Sequence, residues 1–240
     1  MRRFFKLVLL VLCATLPARA AVVFDKAANT GASSAATLAI TPTTSGNALF
    51  VLVFSGSSAA ISVADNVNSG GYTSVGAAAH NSIYQQWFYH INCAASATTI
   101  TVTGASSPAM IAYSLSGVSA VSPVSGYQTG TGSTTALTTT SVTVTFAGSM
   151  ILAGWGDGAA TSVTPYITAG TNYSTSASEN VTYVPGGAEH YNKPPTGTVT
   201  VTATATESSP TWSGNSFVVN PACMLSMSIG SLTTMHTGCM

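Results

Sequence analysis

Charged residues are scarce in this chain: they make up 5% of its 240 residues, against about a quarter in an average soluble domain. Six basic and six acidic side chains balance to a net charge of zero. Nucleic-acid binding needs clustered Lys and Arg to displace counterions from phosphates, so this composition excludes it. The surface must be covered largely by hydroxyls and amides, which suits an extracellular or sugar-facing protein.

Long apolar runs are also missing beyond the N-terminus. A membrane-spanning helix needs about 20 consecutive apolar residues, whereas the apolar residues here come in short runs separated by Gly, Ser, Thr and Asn. That spacing is typical of strands and turns, and no segment beyond the leader shows a helical period. The sequence therefore predicts an all-β protein with no membrane span after removal of its leader.

The motifs of common enzymes are absent from the sequence. It contains no Gly-x-Ser-x-Gly nucleophile elbow, no His-Glu-x-x-His zinc motif and no phosphate-binding loop. A glycosidase needs two facing carboxylates, and Asp157 and Glu189 are the candidate pair because both are placed in loops next to strands. We therefore predict a protein that is not an enzyme, with a polysaccharide-acting enzyme as one alternative.

The first 20 residues have the three parts of a secretion signal. Three basic residues within the first six precede an apolar stretch, Leu7–Leu16, and Ala18-Arg19-Ala20 fits the small-x-small cleavage rule. A short membrane anchor is the alternative, but the apolar stretch is brief. We expect a signal peptide over 1–20, a mature chain that begins at Ala21, and a secreted or cell-surface location.

Cysteine is rare, so the fold is not a disulfide scaffold. Three cysteines remain after cleavage of the leader: Cys93, Cys223 and Cys239. An odd number leaves one thiol unpaired or open to a second chain. A bridge between Cys223 and Cys239 is one option within a C-terminal tail over 222–240, and the sequence does not decide it.

The rest of the chain repeats itself at an offset of about a hundred residues. Each half has an apolar run, a turn, a stretch ending near a histidine, a threonine ladder and an apolar closing strand. The repeats span about 21–120 and 121–221, and they align Leu49 with Met150, Tyr72 with Tyr173 and His90 with His190. We predict one jelly-roll-like antiparallel β-sandwich with interleaved halves; the alternative is two small sandwiches in tandem.

Two segments predict where this sandwich has its core. Leu49–Phe54 and Met150–Ala153 are apolar at every position, which indicates central strands covered on both faces. The threonine ladders alternate instead, so Ile100 and Val102 are expected to face inward while the threonines face outward.

Several segments resemble a group of bacterial secreted β-sandwich modules that occur alone or as repeats in surface proteins. The likeness covers roughly 21–221 and rests on the stretch ending at Asp25, the turn Asp65–Tyr72, the triplet Trp87-Phe88-Tyr89, the first threonine ladder and Ala112–Val118. It implies a jelly-roll-like sandwich and supplies no catalytic residues.

The aromatic strand that contains Trp87 is the main candidate for ligand binding. Both of its faces carry rings beside glutamines, and a sugar can stack its apolar face on a ring while amides bind its hydroxyls. Packing of both faces inside the sandwich is the alternative. The candidate residues are Tyr84, Gln86, Trp87, Phe88, Tyr89, His90 and His190.

Two groups of residues are candidate metal sites. If His90 and His190 are equivalent and close together, they and Glu189 could form a metal or acid–base site. Asp65, Asn66 and Asn68 offer oxygen ligands of the kind that calcium prefers. The same three residues also suit an ordinary turn, in which Asp and Asn bond their own backbone.

The sequence as a whole predicts a secreted, non-catalytic recognition or adhesion protein that binds carbohydrate at the cell surface. It implies no cofactor apart from the candidate calcium. The first alternative is a structural subunit of an extracellular assembly, in which the chain associates with itself through sheet edges or its tail.

Overall fold

A computed structural model describes residues 18–31, 34–57, 60–80, 82–158, 166–181, 185–229 and 232–237 of the chain. The described part is all-β, as predicted, with antiparallel strands and a single turn of 3-10 helix. The first strand, β1 (Ala18–Arg19), lies within the predicted signal peptide, whose residues 1–17 fall outside the described part. No helix of the described part is long and apolar enough to cross a membrane.

The first half of the chain forms one sandwich of two sheets. Its strands are β2 (Val23–Asn29), β3 (Thr37–Ile40), β4 (Asn47–Ser55), β5 (Ser62–Asp65), β6 (Thr73–His80), β7 (Ile83–Cys93), β8 (Thr98–Thr103) and β9 (Ala109–Ser116). The large sheet has the order β2-β9-β4-β7-β6, and the small sheet has the order β3-β8-β5.

The second half forms a second sandwich. Its elements are β10 (Val124–Gly132), β11 (Ala136–Thr138), β12 (Val142–Val144), β13 (Met150–Asp157), β14 (Ile167–Ala169), the 3-10 turn Ala177–Glu179, β15 (Asn180–Val181), β16 (Gly186–Asn192), β17 (Gly197–Val199), β18 (Thr202–Ala205) and β19 (Trp212–Val219). The large sheet has the order β10-β19-β13-β16-β15. The small layer consists of two sheets, β11-β18-β14 and β12-β17.

The predicted tail adds a hairpin to the two sandwiches. Strands β20 (Cys223–Ile229) and β21 (Leu232–Thr237) pair with each other, and β20 also pairs with β1. Cys223 is disulfide-bonded, while Cys93 is a buried free thiol. Cys239 lies outside the described residues.

The two large sheets have the same strand order, which agrees with the duplicated halves seen in the sequence. In the interleaved jelly roll favoured above, each sheet would combine strands from both halves. The described sheets of the two sandwiches instead take all their strands from one half, as in the tandem alternative. The reason is local pairing, because strands that are near in sequence usually become neighbours in space.

The two sandwiches pack against each other through their large sheets. Phe50 and Leu52 of β4 and Tyr113 of β9 share one buried core with Leu152 of β13 and Phe217 of β19. The layers therefore run small sheet, large sheet, large sheet, small sheet. This inner core is therefore built from side chains of both halves, although each sheet of the two sandwiches contains strands from one half only.

Each sandwich also has an outer core between its own large and small sheets. Leu49, Val51 and Val53 of β4 lie in the outer core of the first sandwich, whereas alternate residues of the same strand face the inner core. The prediction that Leu49–Phe54 is covered on both faces is therefore confirmed. In the first threonine ladder, Ile100 and Val102 are buried as expected.

Glycine allows the two large sheets to approach closely. A Cβ atom on Gly154 of β13 would lie 2.5 Å from Leu52, and one on Gly186 of β16 would lie 2.7 Å from the ring of Phe54. Both distances are below any normal contact, so a side chain at either position would push the sandwiches apart.

Candidate functional site

The two most apolar rings of the aromatic strand are core residues. Trp87 is 0% exposed and faces the inner core, where its Nε1 donates a hydrogen bond to Oδ1 of Asn215 in the other sandwich at 2.8 Å. Phe88 is 3% exposed and lies in the outer core of the first sandwich. The large sheet is covered on both sides here, so neither ring is available to a ligand.

Several other residues of this strand are only partly buried. The hydroxyl of Tyr84 donates to Oε1 of Gln86 at 3.1 Å, and Nε2 of Gln86 donates to the exposed Ser74 at 2.8 Å. Tyr89 is half-buried beside Phe50, with ring centroids 5.8 Å apart. Of the predicted ligand residues, Tyr84 and Gln86 thus form a small, partly exposed polar patch on the outer face of β7.

The two candidate histidines lie on opposite sides of their sheets and form no common site. His90 is half-buried beside the ring of Tyr72, at 5.4 Å, on the outer side of its sheet. His190 faces the inner core, where its ring stacks on Phe24 at 4.5 Å. Among the described residues, no group of three or more His, Cys, Asp or Glu side chains could hold a metal ion.

The sequence alignment of the halves is wrong by one residue at this strand. Tyr72 packs on His90, and its counterpart Tyr173 packs on Tyr191 with ring centroids 5.2 Å apart. His90 therefore corresponds to Tyr191 and not to His190. Since side chains alternate between the faces of a sheet, a shift of one residue exchanges the two faces.

The candidate calcium ligands form a closed turn. The carboxylate of Asp65 accepts hydrogen bonds from the hydroxyl of Tyr72 at 2.8 Å and from the backbone and side-chain amides of Asn68. Partial burial raises the pKa of Asp65, but these hydrogen bonds outweigh it and hold the pKa below its usual value. The side-chain oxygens of Asn66 and Asn68 each accept a backbone N–H, at 2.7 and 3.0 Å. The arrangement matches the turn that the sequence left as the alternative.

A buried polar junction connects the sandwiches around His190. Nδ1 of His190 lies 2.7 Å from Oε1 of Glu179, and the hydroxyl of Tyr113 donates to the same oxygen at 2.7 Å. Glu179 is 1% exposed and His190 is 6% exposed. Burial and the neighbouring Glu179 raise the pKa of Tyr113, so its hydroxyl remains a donor. The junction therefore holds β9 of one sandwich to β16 of the other.

The 3-10 turn that carries Glu179 is also held in place by hydrogen bonds from a residue of the first sandwich. Nδ2 of Asn29 in β2 donates to the carbonyl oxygens of Ala177 and Asn180, at 2.8 and 2.7 Å. Sequence reasoning missed Glu179 because this turn has no periodic pattern and its partner Tyr113 is 66 positions away. Asn29 was missed for the same reason.

Glu189 is a buried carboxyl inside the second sandwich. It accepts hydrogen bonds from Nε1 of Trp155 at 3.2 Å and from the backbone N–H of Gly170 at 3.0 Å. Burial away from water raises the pKa of Glu189 to about 8; the two hydrogen bonds lower it only in part, and the charge of Glu179 raises it further. Glu189 therefore keeps its proton at neutral pH in the folded protein.

We expect Glu189 to make stability depend on pH. The unfolded chain releases this proton near pH 4.5 and the folded protein only near pH 8. Its contribution is therefore fully present below about pH 4.5 and is lost as the pH rises to about 8, by up to about 1.4 kcal/mol per pH unit. Glu189→Gln keeps an acceptor and removes the titration.

Urea unfolding at about pH 5 and about pH 8.5 measures this effect. The free energy of unfolding of Glu189→Gln relative to the native chain should rise between the two conditions, because all other titrating groups are common to both proteins. An equal difference at both pH values would show that Glu189 is ionised throughout this range.

A groove opens on the second sandwich next to β14 and the 3-10 turn. Its volume is about 620 Å³, and its described lining consists of aliphatic, hydroxyl, amide and phenol groups with no charged side chain. The residues that line it are Ile167, Thr168, Ala169, Tyr173, Ser174, Thr175, Ser176, Ala177 and Asn180. None of the predicted ligand residues is among them, because sequence reasoning placed the site on the aromatic strand β7 and at His190.

Asn180 holds the two walls of this groove together. Its Oδ1 accepts the backbone N–H groups of Tyr166 and Ile167, at 3.1 and 3.4 Å, where β14 begins. Its Nδ2 donates to the carbonyl of Ser176 at 2.9 Å and to the hydroxyl of Thr175 at 3.4 Å. The groove is thus held in shape by a buried side chain that has little freedom to move.

The two carboxylates proposed for a glycosidase are both buried and have different hydrogen-bond partners. Asp157 is 2% exposed and accepts the backbone N–H of Thr211 at 3.1 Å, whereas Glu189 is 0% exposed and has the partners given above. Neither belongs to the described lining of the groove. Glycoside hydrolysis requires two carboxylates that face a cleft open to the sugar, and both of these carboxylates are shielded from solvent.

The likeness to secreted bacterial β-sandwich modules rests on the segments quoted above and on the sandwich architecture that they imply. An all-β fold with antiparallel sheets is present. The family itself stays a prediction, because no protein-family model, no curated protein and no solved structure matches this chain.

Proposed function

We propose that this chain is an exported, non-catalytic recognition protein that binds carbohydrate in the groove of the second sandwich. The observation that carries this proposal is the groove itself. At about 620 Å³ it falls within the usual size range of small-molecule sites, and its described lining combines apolar surface with hydroxyl and amide groups.

The chemistry of this lining suits a neutral sugar. The C–H face of a sugar ring can pack on Tyr173 and Ala169, while its hydroxyls exchange hydrogen bonds with Thr168 and with the exposed Ser174 and Ser176. No Lys or Arg lines the described part of the groove to attract an acidic sugar. Neutral glycans are therefore the expected ligands.

The patch on β7 of the first sandwich offers a second place for sugar contact. Tyr84 and Gln86 are joined by a hydrogen bond of 3.1 Å, so a ring and an amide stand side by side on the sheet. A protein that engages one polymer through two such surfaces gains avidity from their linkage. This supports adhesion to a surface glycan rather than capture of a free monosaccharide.

The test is a glycan array with the mature chain, followed by calorimetric titration with maltose, cellobiose, lactose and N,N′-diacetylchitobiose. Thr168→Trp fills the groove with an indole and should weaken binding at least about tenfold. Ala64→Trp is the matched control, because Ala64 of β5 is the exposed counterpart of Thr168 in the first sandwich.

Two outcomes would contradict the proposal. One is the absence of any glycan binding, and concentration-dependent self-association on a sizing column would then favour a structural subunit. The other is glycan binding that Thr168→Trp leaves unchanged, which would move the site away from the groove.

A further inference from the structure

Duplication allows the groove to be compared with the same place in the other sandwich. Tyr72 and Tyr173 are counterparts. Each follows the strand at the same edge of its small sheet, β5 or β14, and each packs on the corresponding ring of the large sheet. In the first sandwich the hydroxyl of Tyr72 donates to the carboxylate of Asp65 at 2.8 Å. In the first sandwich, the hydroxyl of this tyrosine is therefore already satisfied by the carboxylate of Asp65.

The second copy lacks this acceptor. Asp65 is the last residue of β5, where it pairs with Ile100, and the last residue of β14 is Ala169, which pairs with Ala203. Ala169 therefore stands where Asp65 stands in the first sandwich, and it lines the groove. A methyl group replaces the carboxylate.

The hydroxyl of Tyr173 is consequently left without a partner. Tyr173 is 9% exposed, its hydroxyl is buried, and no described residue accepts a hydrogen bond from it. Buried hydroxyls in folded proteins almost always have a partner, and one that lacks a protein partner calls for an explanation such as a bound water, ion or ligand. Tyr173 is also one of the residues that line the groove.

We propose that the ligand supplies the missing acceptor: an oxygen of a neutral saccharide in the groove accepts the hydrogen bond of the Tyr173 hydroxyl. Tyr173 is then a specificity-determining residue, because a ligand without an oxygen at that point leaves the hydroxyl unpaired. This inference rests on the proposed function. It adds that Ala169 leaves the tyrosine hydroxyl of the second sandwich free for a ligand, whereas Asp65 occupies the corresponding hydroxyl in the first sandwich.

Removal of the hydroxyl tests this directly. Tyr173→Phe should weaken binding of the disaccharides named above by about tenfold or more, because the ligand loses its donor. Its melting temperature should stay the same or rise, because the free protein loses only an unpaired polar group. Tyr72→Phe is the matched control: it should lower the melting temperature, since Asp65 loses a donor, and leave binding unchanged.

A second variant introduces the aspartate of the first sandwich at the corresponding position of the second. Ala169→Asp places a carboxylate beside the Tyr173 hydroxyl, so binding should be lost although the tyrosine is intact. Retained binding in Ala169→Asp would overturn the inference.

The remaining outcomes separate this inference from the function on which it rests. Binding by the native chain that Tyr173→Phe leaves unchanged overturns the role of Tyr173 and leaves the groove as a sugar site. A fall in both affinity and melting temperature in Tyr173→Phe would show that the hydroxyl has a structural partner, and it would overturn the inference too. No binding of any glycan by the native chain overturns both.

Discussion

Replacement of Trp87 by alanine is expected to lower the free energy of unfolding by about 4 kcal/mol. The indole is fully buried between the sandwiches, with ring centroids 5.3 Å from Phe217 and 5.9 Å from Tyr113. Its removal leaves a cavity in the inner core and takes the donor away from Asn215. Because a typical domain is stable by only about 5–15 kcal/mol, this single change removes a large share of the total.

Trp87→Phe is the control that separates packing from hydrogen bonding. It retains a ring in the inner core and loses only the bond to Asn215, so we expect a cost of about 1–3 kcal/mol. Urea unfolding followed by circular dichroism measures both variants. Equal losses for Trp87→Ala and Trp87→Phe would mean that the ring contributes nothing to the contact between the sandwiches.

The second large effect is expected at the junction between the sandwiches. Glu179→Ala should cost about 3 kcal/mol or more, because it leaves the hydroxyl of Tyr113 and Nδ1 of His190 buried without their shared acceptor. Glu179 has 1% of its surface exposed, so water cannot take the place of the carboxylate without disturbing the packing.

Glu179→Gln is the matched variant, since its side-chain oxygen can still accept from Tyr113. We expect it to lose clearly less stability than Glu179→Ala. In a double-mutant cycle, Tyr113→Phe should cost much less in the Glu179→Ala background than in the native chain, because its partner is already gone. Additive costs would show that Glu179 and Tyr113 act independently, against the distance of 2.7 Å between them.

The fold class could be predicted because the signals for it are local. Alternation in the threonine ladder placed Ile100 and Val102 in the core, and the unbroken apolar run Leu49–Phe54 indicated a strand with no polar face. How the two halves combine could not be predicted in this way. A strand covered on both faces fits an interleaved sandwich and a stack of two sandwiches equally well, and only the hydrogen-bonded pairings distinguish them.

The candidate site was harder to predict, for two physical reasons. A histidine at similar positions in both halves suggested equivalence, but a difference of one residue sets His90 and His190 on opposite faces. The groove, moreover, is formed by a short strand and a turn with no periodic pattern. Its most informative difference, Ala169 in place of Asp65, becomes visible only when the strand registers are compared.

The contacts between the sandwiches have a further consequence. Trp87 of β7 meets Asn215 of β19, and His190 of β16 meets Tyr113 of β9, so the counterpart strands of the two sandwiches also meet across the interface. This reciprocity is the property of an isologous dimer. The chain is therefore organised like a homodimer whose subunits have been fused into one polypeptide, which frees each copy to diverge at its outer surface while the face they share stays self-complementary.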